Sequence, residues 1–300
     1  MQKVLQNVLM NCIEKSLKNL VAQGTYDDFQ EFVTQYSHPK AEQIAKMAEI
    51  LLELAEKIDL PSHAIDICGT GGDSKINTTN ISSITALKLA QSGIKVVKHA
   101  GRAVSSSSGS VDFASFLPTN LMSPQECLEK NHYCFLHASS YHKAYARIAP
   151  FRKQHGKPTI FNMLGPIINP AKPKYRMVGT SFANMEEYAK AFDIMGFTGA
   201  VVQSQSGCDE LLSFEENTII SFGGGKITHS TFNPQNYNIP NICDSSIAGK
   251  TPEENFQNAM QAFANPSKNT LHYTIAINYA VARNIFDPTF EIAKYLTEII

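Results

Sequence analysis

The chain has 300 residues, 43% of them hydrophobic, with 26 basic and 27 acidic side chains and a net charge of −1. That length supports a substantial core and exceeds one minimal domain, and the balanced charge provides no basic field to draw the protein onto nucleic acid. No apolar run reaches membrane-spanning length, and Met1-Gln2-Lys3-Val4-Leu5 lacks the hydrophobic stretch of a secretion signal, so a cytoplasmic protein is expected.

Residues 1 to about 58 are rich in Leu, Ala, Glu, Gln and Lys at helical spacing. Leu5, Val8, Leu9 and Ile13 form one stripe, and Ile44, Met47, Ile50, Leu51 and Leu54 form another. Gly24-Thr25-Tyr26-Asp27-Asp28 ends the first helix and caps the second, and Ser37-His38-Pro39 separates the second from the third. From Ala64 the rhythm changes to short apolar runs alternating with helical stretches. Strands are expected over Ala64 to Cys68, Ile94 to Lys98, Tyr133 to His137, Met177 to Thr180 and Gly199 to Gln203. Helices are expected over Asn80 to Ser92, Val111 to Leu117, Pro124 to Lys130, Tyr141 to Arg152 and Met185 to Met195. This alternation predicts an α/β fold: a small all-helical unit over 1–60, then a larger unit over 61–300 with a mostly parallel sheet flanked by helices. Thr218 to Phe222 and Ile227 to Phe232 flank three glycines and read as a hairpin. Helices over Glu253 to Phe263, Tyr273 to Ala282 and Pro288 to Ile300 complete the chain.

Six cysteines are scattered without a CxxC pair, which reads as reduced packing thiols rather than a disulfide framework or a zinc site. The chemistry concentrates in four segments beyond the strand ends, where open α/β sheets hold ligands. The strand ending at Cys68 runs into Gly69-Thr70-Gly71-Gly72-Asp73 and then a helix opening near Asn80-Ile81-Ser82-Ser83. Glycines leave backbone N–H groups accessible and a helix N-terminus carries partial positive charge, so this turn suits phosphate. A glycine turn alone is equally compatible with a tight turn and no ligand. The next strand ends at Lys98-His99 and continues through Ala100-Gly101-Arg102 into a serine-rich run ending at Ser110, offering cations and hydroxyls for phosphate oxygens. A serine run is often a linker, but here it lies between a strand and a helix. The segment from Phe161 to Ala171 is apolar, carries Pro166 and Pro170, and reads as a stiff loop walling a flat substrate. Cys208-Asp209-Glu210 places two carboxylates just after a strand, where they would hold Mg²⁺ against a diphosphate, or form a solvated turn.

In this order, the Gly-Thr-Gly-Gly-Asp turn, Asn80-Ile81-Ser82, Lys98-His99, Arg102-Ala103-Val104-Ser105-Ser106, Ile160 to Pro166 and Asp209-Glu210 resemble the anthranilate phosphoribosyltransferase family, with a weaker echo at Glu253-Glu254-Asn255. The resemblance implies a homodimer formed through the helical part and a Mg²⁺-dependent transfer of phosphoribosyl from phosphoribosyl pyrophosphate to anthranilate, in tryptophan biosynthesis. It implies donor contacts from Gly69, Gly72, Asp73, Thr78, Asn80, Ser82, Ser83, Lys98, Ser106 and Ser110. It assigns Mg²⁺ to Ser82, Asp209 and Glu210, and catalytic roles to Lys98, Asp209 and Glu210. Around the acceptor it implies Gly69, Gly101, His142, Arg152, Gly165 and Pro166. No nucleic acid or membrane partner is implied.

Four features depart from the family pattern. One extra residue separates Asp73 from Asn80; Lys-His-Gly-Asn-Arg reads Lys98-His99-Ala100-Gly101-Arg102; His-Pro-Ala reads His142-Lys143-Ala144; and the chain ends at Ile300, short of the usual closing segment. The donor side is largely intact and the acceptor side altered. Two alternatives therefore stand beside anthranilate transfer: a phosphoribosyltransferase for a different aromatic acceptor, and a non-catalytic descendant that binds the donor. A pyrimidine-nucleoside phosphorylase shares the glycine turn, but its base-binding motifs are not found.

Overall fold

The computed structural model describes residues 2–72, 78–102, 108–119, 121–264 and 266–300. Three helices open the chain: α1 (Gln2–Gln23), α2 (Tyr26–Gln35) and α3 (Ala41–Glu53). There follow β1 (Ile65–Gly69), α4 (Ile81–Gln91), β2 (Val96–Ala100), α5 (Ser110–Ala114), α6 (Pro124–Asn131), β3 (Tyr133–His137), α7 (Ala138–Tyr141), α8 (Lys143–His155) and α9 (Ile160–Ile167). Then come β4 (Tyr175–Gly179), α10 (Met185–Ile194), β5 (Thr198–Ser204), β6 (Asn217–Gly223) and β7 (Lys226–Phe232). Two short 3₁₀ turns (Pro234–Tyr237 and Ser245–Ile247) precede α11 (Pro252–Ala264), α12 (Thr270–Phe286) and α13 (Ile292–Ile299). Among the described residues, no helix is long and apolar enough to cross a membrane.

The seven strands form one sheet in the order β3-β2-β1-β4-β5-β6-β7. The first five pair in parallel, and β6 and β7 add an antiparallel hairpin at one edge. Side chains alternate across the sheet, as the period of two requires. Ile65, Ile67, Met177, Ala200 and Val202 join Leu89, Tyr273 and Ile277 of α4 and α12 on one face. Cys68, Val178 and Val201 join α9, α10 and the N-terminal helices on the other. Helices α1 to α3 thus share one apolar cluster with Ile148 of α8 and Phe161 of α9. The capping expected at Thr25 is present: its side chain accepts the Asp28 N–H, and the Asp28 carboxylate accepts the Thr25 N–H in return.

Three expectations are corrected. The Phe161–Pro166 run is helix α9 rather than a loop. Thr159 caps it, accepting the Phe161 N–H, while Asn162 Oδ1 accepts the Thr159 N–H. Pro166 falls in the last turn, where one lost bond is outweighed by burying Ile160, Phe161, Met163, Leu164 and Ile167. The helix expected from Tyr141 breaks at His142 into α7 and α8. The helix expected from Pro288 starts only at Ile292, because Asp287 Oδ1 draws the Thr289 N–H and hydroxyl into a turn.

An ion pair sits at the centre of the sheet. Asp66 of β1 and Arg176 of β4 are both fully buried, with Oδ2 and Nη1 2.9 Å apart. Asn169 Nδ2 donates to the same Asp66 oxygen at 2.8 Å and to the Val97 carbonyl at 2.9 Å, and the His99 N–H donates to Asp66 Oδ1 at 3.1 Å. The Arg176 guanidinium lies 4.2 Å from the Phe197 ring centroid. Burial pushes the Asp66 carboxyl up, opposed by Arg176 and Asn169. The network joins β1, β2 and β4 at the strands that carry the functional loops. Replacing Asp66 by Ala strands the guanidinium, and urea unfolding is expected to show a loss of about 3–5 kcal/mol. A loss below about 1 kcal/mol would mean the pair is not integral to the sheet.

Candidate active site

The strand order reverses between β1 and β4, because β1 leads out to β2 and β3 while the chain returns through β4 and β5 on the other side. The crevice beyond the carboxyl ends of β1 and β4 is therefore the switch point where such sheets bind ligands. Those ends are Gly69 and Gly179, which are register partners. A Cβ on Gly69 would lie 2.1 Å from Asp209 Oδ2, and one on Gly179 only 1.5 Å from the Asp209 carbonyl oxygen. Any other residue at 179 would collide with backbone. The pair of glycines makes a seat, and the segment after β5 lies in it.

That segment is pinned on both sides. Ser204 and Cys208 exchange hydrogen bonds before it, and Asn278 of α12 grips both backbone groups of Leu211 after it. Asp209 Oδ2 accepts the Gly71 N–H at 2.7 Å, and Glu210 Oε2 accepts the Thr78 hydroxyl at 2.7 Å. The carboxylates thereby hold the glycine turn at Gly71 and the chain before α4 at Thr78. Gly71 and Gly72 have φ of +62° and +86°, the left-handed region that favours glycine. The turn is held from outside as well. Ser181 Oγ donates to the Gly71 carbonyl at 2.9 Å, and Asn162 Nδ2 donates to the Thr70 carbonyl at 3.2 Å.

Helix α4 begins over this turn. Asn80 is its N-cap residue but makes no capping bond with its side chain; instead its Nδ2 donates to the Ser108 carbonyl at 3.2 Å and its Oδ1 accepts the Ser108 hydroxyl at 2.9 Å. The glycine turn and the serine-rich run are joined there. Lys98 is fully buried beneath the helix start, donating from Nζ to the Ile67 carbonyl and, at 3.1 Å, to Ser82 Oγ. Burial pushes its ammonium down, against Cys68, Asp66, Glu210 and Asp209. Ser83 is fully buried, its hydroxyl lacks a protein partner, and its N–H bonds the Asn80 carbonyl, so its side chain lies inside the fold rather than on the crevice. Ser110 is the first residue of α5. Asp73 and Ser106 lie outside the described residues.

Asp209 and Glu210 offer hard oxygen donors, with the Ser82 hydroxyl at the adjoining helix start. That donor set fits Mg²⁺, which is commonly bound through one or two carboxylates and completed by substrate phosphates. Among the described residues no cluster of three or more His, Cys, Asp or Glu side chains forms, so an ion here would draw its remaining ligands from substrate and water.

The other side of the crevice is built on His99, His142 and α9. His99 donates from Nδ1 to the Gly165 carbonyl at 2.9 Å, and His142 from Nε2 to the Ile168 carbonyl at 2.8 Å. Their rings pack 5.2 Å apart at 63°. Among the described residues, a Cβ on Gly101 or Gly165 would meet no atom within 4 Å beyond its chain neighbours and, for Gly165, its own helix backbone, so both positions border open space. Gly101 is exposed, whereas Ala100 is fully buried at the end of β2. Pro166 is buried beside Cys68, whose thiol lies 4.0 Å from the Pro166 carbonyl. Arg152 is partly buried on α8, with its guanidinium 5.4 Å from the Tyr145 ring centroid. Lys143 pairs with Glu56 and ties the start of α8 to the segment after α3.

Gly179, Asn162, Ser181 and Asn278 were not anticipated from the sequence. Only the Phe-Asn-Met segment containing Asn162 carried a motif signal.

The family-wide description "glycosyl transferase family, a/b domain" matches residues 61–291. Over 282 residues the chain is 33% identical to the anthranilate phosphoribosyltransferase of Endomicrobium trichonymphae, covering 91% of this chain and 83% of that one. The chain belongs to the anthranilate phosphoribosyltransferase family. It is 36% identical over 244 residues to the family member from Tolumonas auensis, covering 79% of this chain and 72% of that one. Its fold matches the Thermus thermophilus member with a TM-score of 0.85 at 27% identity, covering 97% of this chain and 90% of that chain. It also matches the Saccharomyces cerevisiae member in complex with PRPP and Mg, with a TM-score of 0.82 at 25% identity, covering 97% and 86%.

Burial pushes both histidines down to about 4, and for His142 the neighbouring His99 acts in the same direction. Both are neutral in the fold near pH 7, whereas in the unfolded chain they titrate near the ordinary value of about 6.5. Between those limits the unfolded chain binds more protons, so stability falls as pH drops through this window. Urea unfolding is expected to show about 2 kcal/mol less stability per histidine at pH 5 than at pH 7.5, with His142→Gln reducing that difference. Equal pH dependence in the variant would remove His142 from the account.

Proposed function

We propose that this chain transfers the phosphoribosyl group of phosphoribosyl pyrophosphate to anthranilate, giving N-(5-phosphoribosyl)anthranilate and pyrophosphate, a step of tryptophan biosynthesis. The observation that carries this reading is the seating of Asp209-Glu210 in the Gly69–Gly179 crevice, against a glycine turn and a helix start. Relatives and solved structures of the same family support it.

The donor lies along Gly69, Gly72, Asp73, Thr78, Asn80 and Ser82, with Ser106 and Ser110 from the second loop. Ser83 acts through its place in the first turn of α4. The dipole of α4 attracts the diphosphate, since the Thr70 and Gly71 N–H groups already serve the Gly179 carbonyl and Asp209. Lys98 adds positive charge from beneath Ser82. Ser82, Asp209 and Glu210 are the residues that would hold Mg²⁺. When bound, Mg²⁺ supplies neutralisation of the charge that grows on the departing pyrophosphate.

The acceptor occupies the side bounded by Gly69, Gly101, His142, Gly165 and Pro166, with Arg152 meeting its carboxylate as a bidentate cation. The room at Gly101 and Gly165 admits a flat ring close to the backbone. An aromatic amine is neutral at pH 7 and sheds its proton readily after attack, so positioning and charge stabilisation suffice. The neutral His99 ties α9 to β2, the neutral His142 ties the end of α9 to the junction of α7 and α8, and no general base is assigned.

Asp209→Asn with Glu210→Gln is expected to abolish Mg²⁺-dependent consumption of anthranilate fluorescence while leaving the circular dichroism spectrum unchanged. A fully active double variant would remove the metal assignment.

The chain divides functionally into the helical unit over 1–60 and the catalytic unit over 61–300, and it works in the cytoplasm as a homodimer. Val8 and Leu9 support the dimer, because both are exposed on α1 at 54% and 39%. Sedimentation equilibrium is expected to give twice the chain mass, and Val8→Asp with Leu9→Asp to give the monomer. A monomeric native chain would contradict this part.

A further inference from the structure

One buried polar side chain has no part in the site described above, yet it touches that site. Asn255 lies in the first half of α11 and is only 1% exposed. Its Oδ1 accepts the Lys250 N–H at 2.9 Å, and its Nδ2 donates to Asn80 Oδ1 at 3.0 Å. Asn80 Nδ2 donates in turn to the Ser108 carbonyl at 3.2 Å. Both ends of this relay are backbone groups of fixed polarity, since an N–H only donates and a carbonyl only accepts. Turning either amide over would therefore set like groups against each other at two points. The orientation of Asn80 follows from the network and is not a free choice.

The consequence lies in what Asn80 has left to offer. Its Oδ1 is already occupied by two donors, Asn255 Nδ2 and Ser108 Oγ. One Nδ2 hydrogen is spent on the Ser108 carbonyl. The remaining group is a single N–H on a partly exposed side chain at the start of α4. We propose that Asn255 is a positioning residue of the donor site, locking the Asn80 amide so that it presents an N–H, never a carbonyl oxygen, to the anionic oxygens of phosphoribosyl pyrophosphate. It also fastens both donor loops to α11, an element that contributes no donor contact of its own. This inference rests on the function proposed above.

Asn255→Asp tests it with almost no change of shape. The ionised carboxylate keeps the bond from Lys250 N–H but offers no donor to Asn80 Oδ1. At pH 8 the KM for phosphoribosyl pyrophosphate is expected to rise about tenfold, with the KM for anthranilate close to that of the native chain and the thermal midpoint lowered, because an unpaired carboxylate is buried. Relative to the native chain at each pH, the defect is expected to shrink as pH falls, because the protonated carboxyl regains an O–H donor. Asn255→Ala has no such group, so its donor KM is expected to rise without recovery in acid. A donor KM equal to that of the native chain in either variant at pH 8 would overturn the proposal. So would a defect in Asn255→Asp that is unchanged by pH. If Asn255→Asp does not fold, the Asn255→Ala donor KM decides alone. A native chain that fails to turn over phosphoribosyl pyrophosphate would instead refute the proposed function.

Discussion

The site depends on one steric constraint: the backbone of Asp209 occupies the space that side chains at the ends of β1 and β4 would fill. Gly179 leaves no room for even a methyl group, and Gly69 meets the Asp209 carboxylate itself. Because these two glycines are register partners, the sheet presents a flat gap at the point where its strand order reverses. The carboxylate segment drops into that gap and accepts hydrogen bonds from Gly71 of the glycine turn and from Thr78 before α4. The turn, the start of α4 and the buried Lys98 are then placed relative to it. The chemistry is set by a fit between backbones, and side chains refine it.

Charge is arranged in layers beneath this surface. Asp66 and Arg176 neutralise one another in the middle of the sheet. Lys98 stands one layer higher, fully buried and tied to Ser82. Asp209 and Glu210 lie at the crevice. A buried ammonium costs solvation energy unless carboxylates offset it, and here three of them act on Lys98 from two levels. On the proposed acceptor side the two histidines are kept neutral by burial, so that wall is polar but uncharged, and Arg152 is the cation proposed to meet an aromatic carboxylate.

Much of this was legible in the sequence where the signal was local. Gly69 to Gly72, Lys98-His99 and Asp209-Glu210 are short motifs, and the alternation of strands and helices points to a mostly parallel sheet. What escaped was non-local. Gly179 is a lone glycine at a strand end, and nothing near it in sequence indicates that Asp209, thirty residues later, will sit against it. Asp66 and Arg176 are separated by 110 positions, and Asn80 and Asn255 by 175. In a local view Gly165 and Pro166 are helix breakers that predict a loop over α9, while burial of its apolar face decides for helix. Ser83 follows the family motif, yet helix geometry turns it inward, since residues 82 and 83 point about 100° apart around α4.

The central claim is that a single crevice at the β1–β4 switch point binds the donor through the glycine turn and the Asp209-Glu210 segment together. Calorimetric titration of the native chain with phosphoribosyl pyrophosphate, in the presence and absence of Mg²⁺ and without anthranilate, tests it most directly. The account predicts one site per chain and binding that strengthens markedly with Mg²⁺. Absence of binding, or equal affinity without the metal, would contradict it.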